Sequence, residues 1–114
     1  MDSSKKKLFN ILFLLLTLNF EYLFAENIKL DKGKALYESH CADCHSVSLR
    51  GSAHGNELVG KIFLEKWKNN YKYLYSTITE TMPPGDNHKI SEYEYFEILA
   101  YILNKNDIEN VNLT

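Results

Sequence analysis

Two cysteines and a histidine, Cys41, Cys44 and His45, are the residues of this 114-residue chain whose types and spacing indicate a specific chemistry. Two residues separate the thiols, and the imidazole directly follows the second thiol. Covalent attachment of a c-type haem requires this order, because each thiol adds to one vinyl group and the adjacent histidine then binds the iron. The chain has no other cysteine, so the pattern predicts one haem c per chain.

Two other chemistries use a similar pair of cysteines. A thioredoxin-like redox pair needs a preceding strand in a βαβ context, whereas residues 31–40 have the pattern of a short amphipathic helix with Asp31 as its N-cap. A structural zinc site needs about four ligands, with a second Cys or His pair at close spacing. The other histidines, His40, His54 and His88, are scattered and form no such pair. Haem attachment therefore explains the pattern best.

The N-terminal segment has the pattern of a secretory signal peptide. Lysines at 5–7 precede an apolar run at 8–18, and Ala25 offers a small residue for cleavage. The apolar run is shorter than the roughly 20 residues that a membrane span needs. The alternative is an uncleaved membrane anchor that reaches Phe24. It would place Glu21 inside the bilayer, at a cost of about 2.5–3.5 kcal/mol near the centre of a span.

Export and haem attachment support each other. Thiols in an exported protein are normally oxidised to disulfides. Two cysteines only three positions apart would make a strained disulfide, so covalent haem explains their presence better. We therefore expect a periplasmic protein with three segments: a signal peptide at 1–25, a folded domain at 26–104 and a polar tail at 105–114. The whole chain has a formal charge of −2, and the first segment holds three lysines against two acidic residues, so its removal leaves −3. This acidic balance argues against nucleic acid or an anionic membrane surface as a partner. We expect a monomer without stable membrane insertion after cleavage.

Helical spacing dominates the rest of the chain, and strand-like alternation is scarce. Ser91 with Glu94 matches a capping box at the start of the last helix, and Asn70 is placed to cap an earlier one. In the last helix, Phe96, Leu99, Ala100 and Leu103 form one predicted apolar stripe, with Ile98, Tyr101 and Ile102 alongside it. The sequence thus predicts helices at 31–40, 60–68, 70–82 and 91–103, with a Gly/Ser-rich loop at 46–60.

Met82 is the main candidate for the iron ligand on the face opposite His45. It is the only methionine left once the signal peptide is removed, and two prolines directly follow it, which stiffen the backbone. A thioether is a soft, neutral ligand that stabilises ferrous iron and raises the reduction potential. Met82 as a gap-filling core residue is the alternative reading. His54 and His88 are the rival ligands.

The chain resembles class I c-type cytochromes, and in particular the small bacterial mono-haem domains associated with quinone-cofactor dehydrogenases. The resemblance covers most of the chain after the signal peptide: Gly33 and Tyr37, the motif at 41–45, the L-x-G…F…W stretch at 58–67, the Thr81–Gly85 turn and the closing helix from Glu94. It implies an all-α fold of three to five short helices around one covalent haem. The N- and C-terminal helices would cross, with Gly33 and Tyr37 facing Ile98 and Tyr101.

The resemblance also implies roles for two further residues. Trp67 would donate a hydrogen bond to a haem propionate, and a plain core tryptophan is the alternative. The family usually has a proline before its L-x-G stretch, whose carbonyl accepts the second N–H of the axial histidine. Glu57 takes that position here, so its carbonyl would be the acceptor.

Together these features predict an exported mono-haem electron carrier that is not an enzyme. Its partners would be redox proteins, such as a quinone-cofactor dehydrogenase on one side and an oxidase or another cytochrome on the other. The first alternative to an electron carrier is a haem enzyme or gas sensor in which Met82 does not bind the iron. A thiol oxidoreductase without haem is a more remote one.

Overall fold

The computed structural model describes residues 3–85 and 89–109, without the side chains of residues 25–28. This part of the chain contains no strand, only an isolated bridge between Ser52 and Gly55. The all-α prediction is confirmed. The described residues form five helices, in chain order: α1 (Ser3–His40), α2 (Ala42–His45), α3 (Lys61–Trp67), α4 (Tyr71–Thr81) and α5 (Glu92–Lys105).

Helix α1 is much longer than predicted, because it runs without a break from Ser3 to His40. The prediction of Asp31 as an N-cap is therefore wrong, since Asp31 lies inside the helix. No glycine or proline precedes Gly33, so no local signal ends the helix between the apolar segment and the predicted one. Among the described helices, α1 is the one long and apolar enough to cross a membrane, a test that a signal sequence also passes.

Helices α1 and α5 pack closely at Gly33, as the resemblance implied. A Cβ atom on Gly33 would overlap the carbonyl oxygen of Glu97 and lie 3.0 Å from the Tyr101 Cβ, so only glycine permits this approach. Tyr37 is fully buried beside it, with its ring centroid 5.5 Å from that of Tyr101. Lys32 pairs at 3.5 Å with the buried Glu97 carboxylate. This contact fixes the N-terminal helix of the domain against the C-terminal one.

Helix α5 begins as predicted and buries most of the predicted apolar residues. The Ser91 hydroxyl accepts a 3.2 Å hydrogen bond from the Glu94 backbone N–H, which is an N-cap. Phe96, predicted to face the core, is 40% exposed. The predicted Leu99 and Leu103 are buried, as are Ile98, Tyr101 and Ile102 beside them, and Tyr95 one turn earlier joins them.

Helices α3 and α4 lie close to their predicted positions. Asn70 precedes α4, yet its side chain makes no capping hydrogen bond, so that part of the prediction is wrong. Helix α4 ends at Thr81, just before Pro83, as the two prolines predict. The peptide bond between Met82 and Pro83 is cis.

The chain after α5 turns back onto the loop that precedes α3. Asn106 donates from Nδ2 to the Leu58 carbonyl at 2.9 Å and accepts at Oδ1 from the Gly60 N–H at 3.0 Å. Ile108 also packs against the core. The start of the segment predicted as a polar tail is thus part of the fold, and residues 110–114 lie outside the described residues.

Candidate functional site: a cavity with two thiols, an imidazole and a thioether

A cavity of about 630 Å³ lies between α2, the following loop, α3, α4 and α5. Every residue that the sequence singled out for cofactor binding lines it, namely Cys41, Cys44, His45, Trp67 and Met82. The fold thus brings together residues that are up to 41 positions apart in sequence. Of the two histidines that were rival candidates for the second iron ligand, His54 also lines this cavity, whereas His88 lies outside the described residues.

The two cysteines and the histidine lie on one helical turn. The backbone N–H of His45 donates to the Cys41 carbonyl at 3.0 Å, which closes this turn. Positions i, i+3 and i+4 of a helix share one face, so Cys41, Cys44 and His45 can all line the same cavity. Both thiols are free and half-buried.

The environment of Cys41 is unlike that of a redox-active thiol. Burial, followed by the proximity of Cys44, raises the pKa of the Cys41 thiol to about 11. Cysteines that attack disulfides have a lowered pKa, because the thiolate is the reactive form. Cys41 is instead a protonated, half-buried thiol at neutral pH, which argues against a thiol oxidoreductase.

The imidazole of His45 is held by a backbone carbonyl. His45 Nδ1 lies 2.7 Å from the carbonyl oxygen of Asn56, and a carbonyl only accepts, so Nδ1 carries the proton. Nε2 then keeps a lone pair for a metal ion. The acceptor belongs to Asn56, and the expectation that Glu57 would supply it is wrong by one residue. A backbone acceptor leaves no side-chain signature, so the sequence could not distinguish the two.

Small residues let the loop after α2 wrap closely around the histidine. A Cβ atom on Gly55 would lie 2.9 Å from His45 Nδ1 and 2.7 Å from the Cys44 carbonyl oxygen. The Ser52 hydroxyl donates to that same carbonyl at 2.6 Å. From α1, the buried Tyr37 hydroxyl donates to the Ser46 carbonyl at 2.6 Å. The haem-motif turn is therefore fixed from both sides by hydrogen bonds to its backbone.

Met82 reaches the cavity from the end of α4 with both of its backbone polar groups bonded. Its N–H donates to the Ile78 carbonyl at 2.9 Å. Its carbonyl accepts a 2.5 Å hydrogen bond from the hydroxyl of Tyr95 on α5. Tyr95 is buried, and this burial raises the pKa of its hydroxyl. Sequence analysis did not identify Tyr95 as a site residue, because its spacing in α5 is that of an ordinary core residue.

Trp67 and Lys66 line the same cavity from the last turn of α3. Trp67 is 9% exposed, and no hydrogen bond joins its indole N–H to a described residue. Lys66 is the one lysine or arginine among the described residues of the lining, and its ammonium lies 4.9 Å from the centroid of the Trp67 ring. Two unused donors, one of them cationic, therefore lie next to each other in the lining.

The cavity suits a covalently held haem. Its volume is within the 300–1,000 Å³ usual for cofactor sites, and much of its wall is apolar. The thiols, the imidazole with Nε2 available and the thioether form the donor set of a c-type haem. Within residues 3–85 and 89–109, no three or more His, Cys, Asp or Glu side chains are grouped to hold a metal ion directly. The lining also has these apolar members: Leu58, Phe63, Leu74, Ile78, Ile98 and Ile102.

An all-α fold around a cavity that bears a Cys-x-x-Cys-His turn defines the class of c-type cytochrome domains. A family model described as "Cytochrome C oxidase, cbb3-type, subunit III" matches residues 29–102, more than half of the chain. The chain belongs to this family of c-type cytochrome domains, so it carries covalently bound haem c and acts as a haem-based electron carrier. Among the curated proteins and the solved structures, no significant match to the chain was found.

Proposed function

We propose that the protein is an exported electron carrier with a single haem, ligated by His45 and Met82, and that it catalyses no reaction by itself. The observation that carries this proposal is that both cysteines, His45 and Met82 line the same cavity. When bound, haem c supplies one-electron chemistry through its Fe(II)/Fe(III) couple.

The two thiols would hold the cofactor covalently, because Cys41 and Cys44 could each form a thioether by adding their S–H across one vinyl group, which needs no oxidant. His45 would offer Nε2 to the iron, and the hydrogen bond from Nδ1 to Asn56 orients the ring and increases its basicity.

Met82 would supply the second ligand of the iron. Its thioether is neutral and soft, so it favours the ferrous state and raises the reduction potential. With His45 and Met82 both bound to the iron, no substrate would reach it, which is the basis for proposing a carrier and not an enzyme.

Trp67 and Lys66 would hold the propionates of the haem. The indole N–H is a donor without a described acceptor, and the ammonium of Lys66 provides the opposite charge. Sequence analysis named Trp67 alone. Lys66 directly precedes it, and with 13 lysines and arginines in the chain its type alone gave no signal.

Export would take the domain to the periplasm, with residues 1–25 as the signal peptide. The exposed apolar side chains of α1 between Leu8 and Phe24 have no partner segment within the described domain, which suits an export signal or the alternative of a retained anchor.

The remaining chain, with a formal net charge of −3, would dock weakly and briefly with redox proteins. We propose a dehydrogenase as donor, and an oxidase or another cytochrome as acceptor. The description of the matched family, which names an oxidase, supports such an acceptor.

The test is a spectrum of the purified holoprotein together with two variants. We expect haem to remain on the denatured chain at one per chain, and the ferric protein to show the weak long-wavelength band of methionine–iron ligation. Cys44→Ala should lose most of the holoprotein, because one of two thioether bonds cannot form. Met82→Ala should keep its haem, lose the band and become high-spin. A high-spin wild-type spectrum would instead favour a haem enzyme or sensor with an open distal site.

A further inference from the structure

The hydrogen bond between Tyr95 and Met82 joins α5 to the segment that carries the methionine. The Tyr95 hydroxyl donates to the Met82 carbonyl at 2.5 Å, and the Tyr95 side chain is 6% exposed. A short bond in a buried setting competes little with water, so its geometry is well defined. Tyr95 does not itself line the cavity, and its effect on the site therefore passes through Met82.

Met82 occupies the point at which helical bonding stops. Its N–H is the last to bond within α4, and its own backbone is extended, with φ −122° and ψ 141°. The next two residues are prolines and have no N–H to donate. The Tyr95 hydroxyl is thus the group that binds the backbone of Met82 on its downstream side.

We propose that Tyr95 is a positioning residue that keeps the Met82 thioether on the iron. This inference rests on the proposed function, because it takes Met82 as an axial ligand. Fixing the Met82 carbonyl removes conformational freedom that the ligand would otherwise lose on binding the iron. The bond therefore shifts the balance between bound and detached methionine toward the bound state.

Tyr75 provides a matched control, because it makes the same kind of bond without involving Met82. Its hydroxyl donates at 3.2 Å to the Glu92 carbonyl, and it likewise joins α4 to α5. Replacing either tyrosine with phenylalanine removes one hydroxyl from the contact between the two helices. Only the change at Tyr95 frees the backbone of the ligand.

The experiment is a titration of the ferric holoprotein with imidazole, which binds iron only where the methionine has left. Loss of one hydrogen bond of this kind changes an equilibrium by about two- to tenfold. Tyr95→Phe should therefore bind imidazole about two- to tenfold more tightly than wild type. It should also show a weaker methionine band before imidazole is added. Tyr75→Phe should match wild type in both measurements.

Equal imidazole affinities for Tyr95→Phe, Tyr75→Phe and wild type would overturn the inference, and Met82 ligation would still stand if the wild type shows its band. A wild-type protein without the band would overturn both. If Tyr95→Phe yields no holoprotein, NMR of the wild type decides. The hydroxyl proton of Tyr95 should then be protected from solvent exchange and lie close to Met82, and a rapidly exchanging proton would refute the proposal.

Discussion

Backbone carbonyls accept the hydrogen bonds that hold this site together, and each of these carbonyls belongs to a different segment of the chain. Asn56 accepts from His45, Met82 accepts from Tyr95, and Ser46 accepts from Tyr37. Any residue type provides a carbonyl, so the acceptor positions tolerate substitution as long as the backbone keeps its path. The donors are not replaceable in this way. At the residue scale, the chemistry therefore depends on a few side chains and on the shape of the chain around them.

At this scale we predict that Lys66→Gln lowers the reduction potential. The ammonium of Lys66 is the one lysine or arginine charge in the described cavity lining, and a positive charge near the iron favours the ferrous state. We expect the equilibrium between the two oxidation states to shift by about two- to tenfold toward Fe(III), a tenfold change being about 59 mV for a one-electron couple. A redox titration of the holoprotein measures this.

Lys68→Gln is the control, since Lys68 is exposed and does not line the cavity. It removes the same charge two residues away, and salt should largely screen its effect. Lys66→Arg should keep the wild-type potential. If Lys66→Gln and Lys68→Gln shift the potential equally, the role of Lys66 beside the propionates is refuted.

At the scale of elements, the contact between α1 and α5 has no room for a side chain on Gly33. In an exposed helix, replacing glycine with alanine stabilises a protein by about 1 kcal/mol. Here we predict the opposite sign for Gly33→Ala, a destabilisation of about 1–3 kcal/mol, because the added methyl group meets the Glu97 carbonyl. Urea unfolding of the holoprotein tests this.

The exposed Ser39 on α1 supplies the comparison. Ser39→Ala adds no atom to the contact and raises helix propensity, so it should leave stability unchanged or slightly higher. A Gly33→Ala variant at least as stable as wild type would show that the helices separate at little cost.

Sequence analysis located those elements that carry strong local signals. Ser91 opens α5 and the prolines after Met82 end α4, because capping and the lack of an N–H act within a few residues. The predicted start of α1 was wrong, since no residue among the first 30 of the chain interrupts a helix. The exposure of Phe96 and the acceptor Asn56 depend on how distant segments meet. Those contacts are set by tertiary packing, which a pattern of residue types does not record.

At the scale of the whole molecule, the cavity occupies the centre of a small core. Several of its apolar walls, including Phe63, Leu74 and Ile98, belong to the one cluster of buried hydrophobic residues in the described chain. Without haem these walls would face water, which would remove much of the hydrophobic stabilisation of the core.

We therefore predict that the chain without haem is largely unfolded. A variant with both Cys41→Ala and Cys44→Ala, purified without haem, should show little helical circular dichroism and no cooperative thermal transition. The holoprotein in the same buffer is the reference and should melt cooperatively. A cooperative melt of the haem-free variant near the wild-type temperature would contradict the prediction.

The bonds from Asn106 back to the loop have a consequence for biosynthesis. Asn106 lies 48 residues after Leu58 and 46 after Gly60, the two residues whose backbone it holds. During biosynthesis these bonds cannot form until Asn106 is present, so the loop at the edge of the cavity is fixed only when the C-terminal end of the domain has folded back onto it.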